Sequence, residues 1–88
     1  MTGKDRAVLR KEANALTAIF QIGKEGIGEN LLTSIDAALE KRELIKLSVL
    51  QNSDVSAREA AAVIAEALNA EIIQCIGRKF VLYRRSGE

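Results

Sequence analysis

The chain has 88 residues, is 48% hydrophobic and 28% charged, and carries a formal net charge of +1, with no histidine, no proline and one cysteine. That length bounds it to a single compact domain, 1–88, and the missing histidines exclude imidazole general bases, His-ligated metals and Ser-His-Asp chemistry. Cys75 alone can form no internal disulfide, and with no histidine to activate it, it makes a poor nucleophile; no enzyme, no cofactor and no metal are expected.

Residues 3–17 read as a first helix. Thr2 and Asp5 have the spacing of a capping box, and Leu9, Ala13 and Leu16 recur at helical spacing. Lys4, Arg6, Arg10 and Lys11 fall off that apolar stripe and give the helix a cationic solvent face. Ala18–Ile22 (AIFQI) reads as a short buried strand. It is followed by the turn Gly23-Lys24-Glu25-Gly26 and a second helix from Glu29 to Arg42, with Leu31, Leu32, Ile35, Ala38 and Leu39 as its stripe. Glu29 early and Lys41 and Arg42 late suit the helix dipole.

Leu44–Leu50 alternates, with Ile45, Leu47 and Val49 on one side and Lys46 and Ser48 on the other, the pattern of a strand covered on one face. After the loop 51–55, Ser56 and Glu59 form a capping box for a third helix, 57–68. Its expected core stripe is Ala60, Val63, Ile64, Ala67 and Leu68, and Asn69 is its expected stop. Strands 71–76 and 79–84 then form a hairpin through Gly77-Arg78, a dipeptide suited to a type II′ turn. That register sets Cys75 against Phe80, Ile73 against Leu82 and Glu71 against Arg84. The order is α-β-α-β-α-β-β, an α/β fold with a four-stranded mixed sheet, since helical crossovers favour parallel strands and the hairpin is antiparallel. Three helices on one face would leave the other face, with Ile72, Ile76, Val81 and Tyr83, open to solvent or a partner.

Net charge hides an uneven distribution. Residues 1–24 sum to +3, residues 25–76 to −5 and residues 77–88 to +3. If the two basic ends meet, they form a cationic patch able to attract a polyanion. The glycine turn between strand and helix adds a backbone that can approach a ligand closely, the amides of a helix start, and the charge of Lys24, a combination suited to a phosphate. The full phosphate-loop and dinucleotide motifs are absent. Exposed aromatics for stacking bases are scarce, which points to recognition through backbone and shape.

Three blocks, QIGKEG, ELIKLSVL and QCIGRKFVLYR, set within LTAIFQIGKEGI, IDAALEKRELIKLSVLQN and AAVIAEALNAEIIQCIGRKFVLYR, closely resemble the YhbY family, stand-alone bacterial proteins of the CRM class (chloroplast RNA splicing and ribosome maturation). The likeness covers residues 2–85 without a gap. It implies a fold similar to the C-terminal domain of bacterial translation initiation factor three, and an RNA-binding role with precursors of the large ribosomal subunit. It also implies an RNA contact at Gly23, Lys24, Glu25 and Gly26, likened to the GxxG loop of KH domains. Glu25 stands where many relatives carry a small residue. The expected RNA-binding set is Gly23, Lys24 and Gly26, with Lys4, Arg6, Arg10 and Lys11 from the first helix and Arg78, Lys79 and Arg84 from the hairpin. The expected partner is ribosomal RNA or the pre-ribosomal large subunit, met by a cytoplasmic monomer without a membrane partner. The rival expectation is a protein-interaction module that docks ribosomal proteins or assembly factors through the open sheet face.

Overall fold

A computed structural model describes residues 3–85, with side chains from residue 6 onward; the Thr2–Asp5 box and the Lys4 side chain lie outside the described residues. The elements are α1 (Gly3–Ala13), β1 (Phe20–Ile22), α2 (Glu29–Arg42), β2 (Leu44–Val49), α3 (Ala57–Leu68), β3 (Glu71–Ile76) and β4 (Lys79–Tyr83). They occur in the expected order. The sheet runs β1-β2-β4-β3. β1 and β2 are parallel, while β4 is antiparallel to both β2 and β3. β2 and β3 therefore run the same way with β4 inserted between them, as a helical crossover from β2 to β3 requires.

Local signals place the two long helices. Ser56 Oγ accepts from the Glu59 amide at 3.1 Å and Glu59 Oε1 accepts from the Ser56 amide at 2.9 Å, so the capping box is closed in both directions. Asn69 ends α3 in the left-handed conformation (φ 56°, ψ 45°), which asparagine tolerates better than most residues. β3 keeps its expected limits, 71–76, and boundaries shift at the other four elements. α1 stops at Ala13 and not at residue 17, because after Asn14 the bonds tighten to Ala15 N–Glu12 O and Leu16 N–Ala13 O. The chain must then extend so that the Ile19 amide can reach the Lys46 carbonyl at 2.9 Å. For the same reason β1 begins at Phe20, two residues later than expected. β2 and β4 each end one residue early, at Val49 and Tyr83.

The main core lies between the sheet and α2 with α3. It contains Ile22, Ile35, Leu39, Ile45, Leu47, Val49, Ala57, Ala60, Ala61, Ile64, Phe80 and Leu82. Full burial of side chains such as Leu82 or Phe80 stabilises the fold by about 1.5–3 kcal/mol each. The buried stripe of α3 is rotated from the expected one: Ala57 and Ala61 belong to it, whereas Val63 (51% exposed) and Ala67 face solvent. Small alanines let this helix approach the sheet closely.

The expectation of three helices on one face is corrected. Ala13 of α1 is buried with Ile73 and Val81, and Leu9, Leu44 and Tyr83 pack around them. Val81 and Tyr83 alternate with Phe80 and Leu82 along β4, so α1 covers the opposite face. A β-bulge in β3 makes this second core possible. Cys75 pairs with Phe80 as expected, but Ile72 and not Ile73 opposes Leu82, and Tyr83 and not Arg84 opposes Glu71. The extra residue turns Ile73 toward α1 while Ile72 packs on the main core, the local kink and altered facing that a bulge produces. Of the four residues expected to line an open apolar face, Val81 is buried, Ile72 points inward and Tyr83 is half-buried. Ile76 alone stands well exposed, at 67%.

Arg84 ties three elements together. Its Nη1 donates to Asp36 Oδ1 at 2.7 Å and to the Leu68 carbonyl at 2.9 Å, and its Nη2 donates to the Asp36 carbonyl at 3.1 Å and Glu40 Oε1 at 3.3 Å. The side chain is 17% exposed, so these bonds are only partly screened. Replacing it by methionine keeps most of the packing and removes the bonds. Arg84→Met should destabilise the fold by about 2–3 kcal/mol, a fall in Tm on the order of 10 °C for a domain of this size; thermal unfolding within a degree of the parent would show that the network is only decorative.

Candidate functional site

The strand directions bring three loops to one end of the sheet. β1 and β2 both finish there, and β4 starts there. The Leu50 amide donates to the Ile22 carbonyl at 2.8 Å and the Val49 amide to the Arg78 carbonyl at 2.7 Å. The glycine turn after β1, the loop after β2 and the hairpin turn before β4 are thus stitched side by side. Lys24, Arg78 and Lys79, distant in sequence, share this rim, and all three are exposed.

The glycine turn is closed by the Gly26 amide donating to the Gly23 carbonyl at 3.0 Å. Lys24 and Glu25 occupy its two central positions with negative φ, and Gly26 follows with φ +75°, the arrangement of a type I turn with glycine at its last position. The two glycines differ in role. Gly26 supplies a conformation that costs other residues about 1–2 kcal/mol. Gly23 has ordinary φ, and a methyl group there would stand 3.4 Å from Leu50 Cδ1 and 3.8 Å from Asn52 Oδ1. Gly28 caps α2 without a side-chain hydrogen bond, so no side-chain cap occupies the first amides of that helix. Glu25 is also exposed and sits next to Lys24 in the turn.

On the sheet face that carries α1, the helix covers only part of the strands. Beyond its end the surface is formed by Gln21 and Ser48, then Lys46 and Lys79, then Gln74 and Ile76. Lys46 opposes Val81 and Lys79 opposes Ser48, so the two lysines are diagonal neighbours on one face, about 7–8 Å apart at their Cα atoms. Lys46 was not among the residues expected to bind. The alternation of LIKLSV shows it pointing away from the core, but its proximity to Lys79 depends on a register that no local pattern reveals. Arg10 and Lys11 lie in the last turn of α1, exposed, on this same face.

The remaining expected residues are placed elsewhere. Arg6 donates to Glu71 Oε1 at 2.9 Å and to the Ile72 carbonyl at 3.0 Å, at the far end of β3 from the glycine turn. Arg84 is held by Asp36 and Glu40 on the α2 side. Among the described residues, no ion pair involves Lys24, Lys46, Arg78 or Lys79, and no cluster of His, Cys, Asp and Glu is placed to hold a metal ion. No helix among them is long and apolar enough to cross a membrane.

A mixed α/β sheet with one helix across part of one face, two on the other and a glycine turn at its rim defines a small domain of recognisable type. The model of the CRS1 / YhbY (CRM) domain matches residues 1–84, and the chain belongs to that family. It is 43% identical over its full length to the protein named "Probable RNA-binding protein YqeI" of Bacillus subtilis, covering 92% of that protein. It is 31% identical over its full length to a Haemophilus influenzae protein named "RNA-binding protein", covering 89% of it. The solution structure of the hypothetical protein SAV1595 from Staphylococcus aureus superposes with a TM-score of 0.81 at 48% identity, over the whole of this chain and 92% of that one.

The asymmetry between the glycines is measurable. Gly26→Ala should lose about 1–2 kcal/mol of stability from its left-handed backbone, whereas Gly23→Ala should lose markedly less. Urea unfolding of both variants decides the point, and equal losses would contradict the turn geometry.

Proposed function

We propose that this chain binds RNA, and that its target is the large ribosomal subunit or its precursor, which it meets as a monomeric assembly factor in the cytoplasm. The observation that carries the reading is the convergence of Lys24, Arg78 and Lys79 on one rim around a glycine turn, continuous with Lys46 on the uncovered half of the sheet. Cations without carboxylate partners are free to replace the counterions of a polyanion. The turn leads into a helix start that no side chain caps, a feature that suits a phosphate oxygen. Two relatives are named as RNA-binding proteins, and that supports the choice of polyanion. The ribosomal target rests on the family resemblance of the QIGKEG, ELIKLSVL and QCIGRKFVLYR blocks.

Within this reading the basic residues divide. Lys24, Lys46, Arg78 and Lys79 make the main phosphate contacts, and Arg10 and Lys11 extend the patch along α1. Arg6 and Arg84 are engaged with carboxylates and serve the fold first. Docking of a protein on an open apolar sheet face is disfavoured, because α1 occupies the centre of that face and Val81 lies beneath it.

Salt dependence tests the assignment. With a labelled fragment of large-subunit ribosomal RNA, the slope of log K against log[salt] should fall by about 0.7–0.9 for each phosphate contact removed. Lys24→Glu and Lys79→Glu should each weaken binding and flatten that slope, while Arg6→Gln should leave it nearly unchanged. An unaltered slope in both lysine variants would remove the loop and rim from the interface. Salt-insensitive binding to intact pre-subunits, with none to naked RNA, would favour a protein partner instead.

A further inference from the structure

Below the end of α1 the uncovered half of the sheet is not flat. Asn14, Lys46, Gln74, Ile76, Lys79 and Val81 line a cleft of about 140 Å³, small beside the ~300–1,000 Å³ of typical small-molecule sites. Its lining has three distinct chemistries. Lys46 and Lys79 project from diagonal positions of β2 and β4 with no carboxylate in the cleft, so both charges are directed at one anion site. Asn14 and Gln74 bring side-chain amides, each with donor and acceptor groups, and among the described residues neither amide makes a hydrogen bond. Ile76 presents an exposed aliphatic surface at one edge, and buried Val81 forms part of the floor.

From this combination we infer that the cleft is a subsite for one unpaired nucleotide of a single-stranded or bulged RNA segment. The inference rests on the RNA reading proposed above and specifies the form of RNA it takes. The two ammonium groups receive the phosphate. The amides of Asn14 and Gln74 meet polar groups of the base edge, and Ile76 packs against the sugar or base face. A base held in a duplex has its edges turned into the stack and paired, and the convex A-form surface cannot enter a recess behind a helix end. An unpaired nucleotide can. Aromatic stacking has no part in this mode: Phe80 is buried, Phe20 is packed against the main core, and Tyr83 lies toward the other end of β4. Amides and an aliphatic side chain then supply the contacts that aromatic rings supply elsewhere.

The bulge in β3 borders this cleft. Ile73 and Gln74 both fall opposite Val81, between the pairs Ile72–Leu82 and Cys75–Phe80. One side chain enters the second core, and the next is left to line the recess.

The test uses the full chain with two probes, a short labelled unstructured RNA strand and the same strand annealed to its complement. Wild-type protein should bind the single strand at least tenfold more tightly at equal salt. Gln74→Leu and Ile76→Ser should each reduce single-strand affinity several-fold with little effect on the duplex, and Lys46→Gln should weaken both while flattening the salt slope. Ile76 is a surface residue, so its variant keeps the test valid should Gln74→Leu disturb the bulge. Equal affinity of wild type for both probes, or Gln74→Leu and Ile76→Ser variants that weaken both equally, overturns the subsite while leaving RNA binding intact. If neither probe binds even at low salt, the RNA reading falls and the subsite with it.

Discussion

Phe80, Val81 and Leu82 follow one another in β4, and none has any exposed surface. Side chains alternate along a strand, so three consecutive residues can be buried only where both faces of the sheet are covered. α2 and α3 provide one cover and α1 the other. β4 must also be flanked on both edges, and β2 and β3 meet that demand. α1 is too short to cover the whole second face. It shields Val81 and Ile73 and stops, and the rest of that face is polar and cationic because nothing dry lies over it. The division between a structural half and an exposed half of one sheet face follows from the length of a single helix.

Much of this fold was legible in the residues, and the parts that were not have a common cause. α2 and α3 carry local signals, such as the Ser56–Glu59 box and the late Lys41 and Arg42, and their limits were read correctly. The Gly77-Arg78 turn also fixed Cys75 against Phe80. Two positions beyond that, the register failed, because nothing in EIIQCI marks which isoleucine will be the extra one; the answer lies in what Ala13 needs to pack against. Arg84 shows the same limit among the candidate binding residues. The hairpin spacing set it against Glu71 and within the binding patch, yet its carboxylate partners are 48 and 44 positions upstream. Lys46 is the converse case: it was visibly outward-facing, but its pairing with Lys79 emerged only from the sheet order.

Two arginines serve the fold. Arg6 and Arg84 each reach more than one acceptor with both guanidinium nitrogens, which a planar fork does well and an ammonium does poorly. Lys24 and Lys79 stand in the open and Lys46 is half-buried, each a point charge on a long stem. Arg10, Arg42, Arg58, Arg78 and Arg85 are exposed as well. The formal charge of the chain therefore overstates the cations available at its surface on the α2 side and understates the local field over the uncovered sheet. The neutral average of +1 describes neither.

The stitching of the three rim loops has a consequence for kinetics and adaptability. Bonds from Leu50 to Ile22, from Val49 to Arg78 and from Gly26 to Gly23 hold backbone segments that would otherwise fluctuate independently, so little further ordering of the protein backbone is required on encounter. In such a preorganised rim the entropy lost on association falls mainly on the ligand. A pliable strand can conform to the fixed spacing of the lysines, whereas a stiff one must already match it.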